Sequence, residues 1–522
     1  MKIITMRHIL GNKVLQYDVD DRGVIVDERE IDRTVNHKPN IADYVKEHMV
    51  FWYDMSKPVD VYVPGVTCAN IFVSGGGKLT YDKTINKCII THTPTNNNNV
   101  AFWQIIVKPL QYIESYKIRV TGLPTGFTIK GRIGYDDIQI TSDGEYDIPE
   151  YRNSSTTNTS YPGFYLAGDN VNDVDCNIVA EEIPTKQSVP TNEILKANPY
   201  LQDFSGNNRR LKLNNFLFAA MSGVGGYEMN YTDSALFITY LNGVRGDGTI
   251  TDNTITINNV KVSSGVIETK VSSPSKKYKV RVTGITSNET LRYVVYGDIS
   301  LGESATIIFD MKKDGEYELP ASTYSATYNM KWQVIAASYP HTCNITIEQI
   351  PSYPNALVTD GVDDYGVVEN FKSLQNYMMF FQCAIIRPAT SKGMFSTTSI
   401  EGNIKGWMLL QGNSANEVRF GNNVYKNFNV TSSIGDKISY VLSANNELMT
   451  CYVGEEKATL AGTYKQTGAN MSLFLSDNNN KTRFGSMAFY KSILFDSVPT
   501  KQDDGFTEQE LIDYVLENLI TK

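Results

Sequence analysis

Three aspartates crowd one short stretch of this 522-residue chain, Asp360, Asp363 and Asp364 in TDGVDDYGVV. An oxygen-only donor set of this kind suits a hard cation such as calcium, which draws on carboxylates, carbonyls and water. On a strand, residues 363 and 364 would face opposite ways, so both reach one ion only through a bulge. Other chemistry is sparse. The five histidines, His8, His37, His48, His92 and His341, form no HExxH, no helical i, i+4 pair and no nucleophile elbow, and read as structural or solvated. Glu28 and Glu30 in DEREID alternate as a glycosidase carboxylate pair would, yet no E-x-D-x-E strand occurs within 350–522. The run VSGGGKL (73–79) lacks the spacing of a phosphate loop, and SGVGGYE (222–228) lies in no βαβ context, so both read as turns. Six cysteines without a CxxC pair exclude zinc-ribbon and thioredoxin readings and are expected to be reduced thiols. Of Trp52, Trp103, Trp332 and Trp407, the second and third sit in strand-like apolar runs that favour core packing over sugar stacking. No catalytic residue and no cofactor-binding residue can be nominated. No metal or cofactor is expected; the best metal candidate is calcium at Asp360, Asp363 and Asp364, set against a plain strand-entry turn.

The elements that would position such groups are strands. Three blocks recur in the same order: YKIRVTG (116–122), DGEYDIP (143–149) and CNIVAEEIP (176–184), then YKVRVTG (278–284), DGEYELP (314–320) and CNITIEQIP (343–351). Ordered recurrence means a duplicated domain. Alternation puts Tyr278, Val280 and Val282 on one face and Lys279, Arg281 and Thr283 on the other, the pattern of a half-buried antiparallel strand. Asp-Gly supplies a turn and proline ends the ladder in the second block. Each copy is expected to be a small β-sandwich of seven or more short strands. Near the end, Thr507 with Glu510 forms a capping box, and Ile512, Val515, Leu516 and Leu519 make an apolar stripe, predicting one short amphipathic helix.

The totals narrow the partners. A net charge of −9 without a basic block argues against nucleic acid and anionic membrane, and no run reaches the roughly 20 apolar residues of a membrane span. Arg7 and His8 stand where a signal peptide would carry its apolar stretch, so secretory export is not expected.

The segments 198–227 and 350–522 resemble the laminin-G-like, concanavalin-type jelly roll. The matching residues are Asp360 through Tyr365 for the opening strand, and Gly485, Phe489, Tyr490 and Leu494 for the last. The expected fold is therefore all-β: duplicated small β-sandwiches plus a jelly roll with a short C-terminal helix. The expected division is an N-terminal attachment element at 1–50, a first module at 51–190, opening jelly-roll strands at 191–230, a second, inserted module at 231–351, and the jelly roll proper at 352–522. The whole arrangement also looks like proteins of bacteriophages that infect Bacteroides-type gut bacteria, including crAss-like phages. That resemblance implies a non-enzymatic head fibre or capsid-decoration protein, with a tail fibre or a bacterial carbohydrate-binding surface protein as alternatives. It implies a virion location, assembly as a dimer or trimer with other virion proteins, and binding to host-surface or mucus glycans.

Overall fold

The structure is a computed structural model that describes residues 4–10, 13–19, 25–32, 40–61, 70–73, 77–82, 86–93, 100–132, 134–135, 137–168, 171–184, 186–269, 277–295, 307–320, 330–398, 408–412, 414, 416–421, 425–445, 448–461, 470–477 and 482–521. It is nearly all β. Cys68, Trp407, the glycine run at 74–76 and the side chains of His8, His37, Glu28, Glu30 and Trp103, all considered from the sequence above, lie outside the described residues.

The jelly roll is two facing sheets. One carries, in spatial order, Gly223–Val224, Leu357–Val358, Ser486–Phe495, Tyr377–Arg387, Lys437–Ala444, Leu448–Val453 and Glu456–Ala461. The other runs Tyr200–Leu201, Leu211–Asn214, Tyr365–Val368, Asn470–Leu473, Gly393–Thr398, Met408–Gln411, Glu417–Gly421 and Tyr425–Asn429. Rings of Phe381, Phe395, Phe474 and Phe489 meet between them. Strand Tyr377–Arg387 is buried along all but its last residue, which a sheet with one wet face cannot produce. The cause is a third layer: helices Ile41–His48 and Glu508–Val515 set Tyr44, Val45, Leu511, Ile512 and Val515 on Met378, Phe380, Ile493 and Phe495. The C-terminal helix begins with the expected capping box of Thr507 and Glu510, and its last turn widens over Leu516–Ile520.

Both modules share one topology of two five-stranded sheets. In the first, Gly144–Ile148, Tyr116–Thr121, Asp175–Ile183, Lys87–His92 and Lys78–Asp82 lie side by side, over Gln139–Ile140, Phe127–Arg132, Gly163–Gly168, Val100–Gln104 and Asn70–Val73. The second repeats this order with Gly315–Leu319, Tyr278–Thr283, His341–Ile350, Thr254–Val260 and Gly246–Ile250 over Ile307–Met311, Glu289–Val295, Met330–Ala336, Ile267–Thr269 and Phe237–Thr239. Registers agree: Tyr116 faces Ile148 as Tyr278 faces Leu319, and Arg119 lies between Glu145 and Glu181 as Arg281 does between Glu316 and Glu348. The glycine closing the first block has a cause. Gly122 and Gly284 have φ of +74° and +87°, and a Cβ there would fall 2.2 Å and 1.9 Å from the carbonyl oxygens of Asn177 and Asn344.

Each module is an insertion in the jelly roll. Strand Met49–Asp54 pairs with Ser486–Phe495, Met49 opposite Phe495, so residues assigned from sequence to the N-terminal element and the first module belong to the jelly roll. The chain then leaves for the first module and returns through a two-stranded neck, Val59–Val61 against Lys186–Ser188. The second departure is tied in the same way: Gly225 N–H donates to Ala356 and Tyr353 N–H to Gly225, while the buried Gln349 side chain bonds both backbone groups of Met229. Ahead of all this, Ile4–Leu10, Lys13–Val19 and Ile25–Asp32 form a three-stranded antiparallel meander.

Candidate functional site

The acidic stretch sits on a connection between the two jelly-roll sheets. Leu357–Val358 ends in one sheet and Tyr365–Val368 begins in the other, with residues 359–364 as a bend between them. Because this segment is not yet a strand, the opposition of residues 363 and 364 expected from alternation does not apply. Carboxylate oxygens of Asp360, Asp363 and Asp364 lie within 4.8 Å of one another. Asp364 is wholly buried. Ser222 Oγ donates to its Oδ1 at 2.9 Å and the Asp360 N–H to its Oδ2 at 2.9 Å. Burial outweighs these bonds and, helped by the Asp360 and Asp363 charges, pushes the Asp364 carboxyl up to about 7. Asp360 Oδ1 takes the Val362 N–H at 2.7 Å, and Arg387 donates to the Asp360 carbonyl at 2.9 Å. Asp363 is exposed. Three converging carboxylates, two of them braced by backbone and serine donors, match the donor chemistry of a hard divalent cation.

The described histidines do not meet. His92 lies between Asp175 at 2.7 Å and Asp173 at 3.2 Å, His48 contacts Asp496 at 2.9 Å, and His341 contacts Glu289 at 2.6 Å. The 222–228 glycine run enters the jelly roll as Gly223–Val224, paired with Leu357–Val358, and carries the chain into the second module. Trp332 is wholly buried in the second module. Trp52 lies under Lys57, whose Nζ is 3.7 Å from the ring centroid.

One cluster has no sequence signal. Lys491 Nζ stands 3.1 Å from Asp54, both side chains nearly inaccessible. Lys437 Nζ lies 4.3 Å from the Tyr490 ring. Burial first, and the Lys491 charge second, hold Lys437 below the ordinary lysine range; burial likewise lowers Lys57 against the pull of Asp54. Asp54 and Lys491 are 437 positions apart (491 − 54) and meet only through the Met49–Asp54 ladder.

Fold and site together define a multidomain all-β protein built on a two-sheet jelly roll that hosts two copies of a second sandwich. No family model matches the chain, and no curated protein matches it. Among solved structures, the CBM40 of a Ruminococcus gnavus IT-sialidase, bound to α2,3-sialyllactose, is 13% identical, covering 25% of this chain and 80% of its own, with a TM-score of 0.22. Domains LG4-5 of the mouse laminin α1 chain are 9% identical over 53% of this chain and 90% of theirs, at 0.20. A Trypanosoma rangeli sialidase, solved with the inhibitor DANA, is 6% identical over 99% and 94%, at 0.26. Likenesses at this level carry no argument about what this chain binds or does.

Proposed function

We propose that the chain is a non-catalytic binding and display protein: a jelly-roll platform that presents two copies of one rigid module. The observation that carries this is the double insertion. Each copy leaves and re-enters the jelly roll through a paired neck, an arrangement suited to holding surfaces outward. In its finer form the proposal places the protein on a virion as a head fibre or capsid-decoration protein, touching host-surface or mucus glycans, and rests there on the phage resemblance. Mass spectrometry of purified particles decides the location, since a chain missing from them cannot be a virion component. Incubation with host capsule decides the chemistry: sustained release of reducing ends would overturn the non-catalytic reading.

Asp360, Asp363 and Asp364 would hold a calcium ion, which supplies a fixed positive charge to the loop between the sheets. Calorimetric titration with calcium chloride is expected to show one site that weakens as pH falls through about 7, because a proton competes for Asp364. Asp363→Asn, at an exposed position, is expected to lower affinity about tenfold or more with the fold unchanged. Heat exchange indifferent to both pH and this substitution would remove the site.

A further inference from the structure

The three blocks that recur in the sequence are scattered, yet the fold sets them side by side. Gly144–Ile148, Tyr116–Thr121 and Asp175–Ile183 are neighbouring strands of one sheet, as are Gly315–Leu319, Tyr278–Thr283 and His341–Ile350. Their outward residues form one patch per module: Lys117, Arg119, Thr121, Glu145, Asp147 and Glu181 in the first, Lys279, Arg281, Thr283, Glu316, Glu318 and Glu348 in the second. These six agree in type except Asp147, which keeps its charge as Glu318, while Val179, outward on the same strand as Glu181, becomes Thr346. Arg119 reaches Glu145 at 2.7 Å and Glu181 at 3.2 Å, and Arg281 reaches Glu316 at 2.9 Å and Glu348 at 3.3 Å.

Packing does not ask for this agreement. Inward positions of the same strands have changed, Ile118 to Val280, Ile148 to Leu319 and Ala180 to Ile347. The next strand of the same face has changed outward too: Lys87 opposite Glu181 becomes Thr254 opposite Glu348, and Ile89 opposite Val179 becomes Thr256 opposite Thr346. Recent duplication would have spared that strand as well. Nor does stability require it, since Arg119 and Arg281 stand about half exposed at 46% and 50%, where ion pairs contribute little.

We propose that the patch is a self-complementary docking face, and that its partner is the same patch on another copy of this chain. Cations occupy the middle strand and carboxylates both flanking strands, so two patches offset by one strand spacing, about 4.8 Å, set each cation row on a carboxylate row. Each patch holds two of these cations and three of these carboxylates, too nearly balanced to select a polyanion or a polycation. A patch of three strands by five residues spans about 250 Å², well under the roughly 800 Å² per partner of a stable interface. One contact is therefore transient, and the second copy of the patch converts it into lasting, multivalent association. Salt weakens it, because the charges are exposed.

Sedimentation velocity of the full chain tests this. The expected result is a mass that rises with concentration at low salt and falls back at high salt. Arg119→Glu or Arg281→Glu alone should reduce association, and the two together abolish it, with circular dichroism unchanged. Mixing R119E/R281E with E145R/E316R should restore it. A wild-type chain that stays monomeric at every concentration, or a double variant that associates like wild type, overturns the proposal. So does a monomeric chain that loses a glycan or foreign-protein ligand on R119E/R281E, which would assign the patch to that ligand. Self-association and glycan binding are separate readouts on the same variants, so either can fail while the other stands.

Discussion

The two modules have the same strand order and build their aromatic cores from different chain positions. In the second, Tyr293 on Glu289–Val295 lies 4.8 Å from the Trp332 ring and meets Tyr278 edge-on at 6.2 Å. The ladder position equivalent to Tyr293 in the first module is Gly131, opposite Phe164 as Tyr293 is opposite Trp332. The vacated space is filled by Tyr135 from the following loop, stacked on Phe164 at 5.8 Å and edge-on to Tyr116 at 6.4 Å. A Cβ on Gly131 would fall 1.6 Å from the Tyr135 carbonyl oxygen, so the glycine and the returning tyrosine depend on each other. A second divergence lies at the start of the same strand, where Phe127 of the first module corresponds to buried Glu289 of the second, bonded to His341. The core has two solutions for one volume, whereas the outward patch has kept one.

The largest expected effect comes from emptying the shared aromatic site. Trp332→Ala in the second module and Phe164→Ala in the first should each cost about 3–5 kcal/mol, read as loss of hydrogen-exchange protection confined to the substituted module. Gly131→Ala should destabilise only the first module, by about 1–3 kcal/mol or more, because a backbone carbonyl blocks the methyl. Equal stability of Gly131→Ala and wild type in a calorimetric scan would contradict the mutual dependence. A smaller effect distinguishes the modules by pH. Burial raises the Glu289 carboxyl, but bonds from His341 and Thr286 outweigh it and leave it below the usual glutamate range. A depressed carboxylate contributes stability that is present above its unfolded value, near 4.5, and is lost as pH falls through the folded value. Protonation of Glu289 should therefore loosen the second module in acid, and Glu289→Gln, at about 1–3 kcal/mol, should remove that part of its pH dependence. Smallest of all, Arg119→Ala and Arg281→Ala should leave each module's melting temperature unresolved from wild type.

What sequence conveyed was local. Alternation in YKVRVTG, the Asp-Gly turns and the Thr507–Glu510 box each fix geometry within a few residues, and the strands and the capped helix occur at those positions. Residue type alone marks the acidic loop, but strand alternation does not reach it, because residues 359–364 bend before Tyr365 begins its strand. Non-local features were hidden. Nothing near Met49 announces that its ladder partner is Phe495, and nothing in GRIGY says that Tyr135 substitutes for a strand residue at 131. The first module's status as an insertion follows from that same remote ladder.

The pairing of Met49–Asp54 with Ser486–Phe495 also has a mechanical meaning. Tension applied between the segment before residue 49 and the segment after 495 would first part the Tyr44–Phe506 and His48–Asp496 contacts and then open that antiparallel ladder pair by pair from Met49 and Phe495, while both inserted sandwiches stay off the load path. Pulled in this way, the root of the jelly roll opens before its displayed domains are stretched.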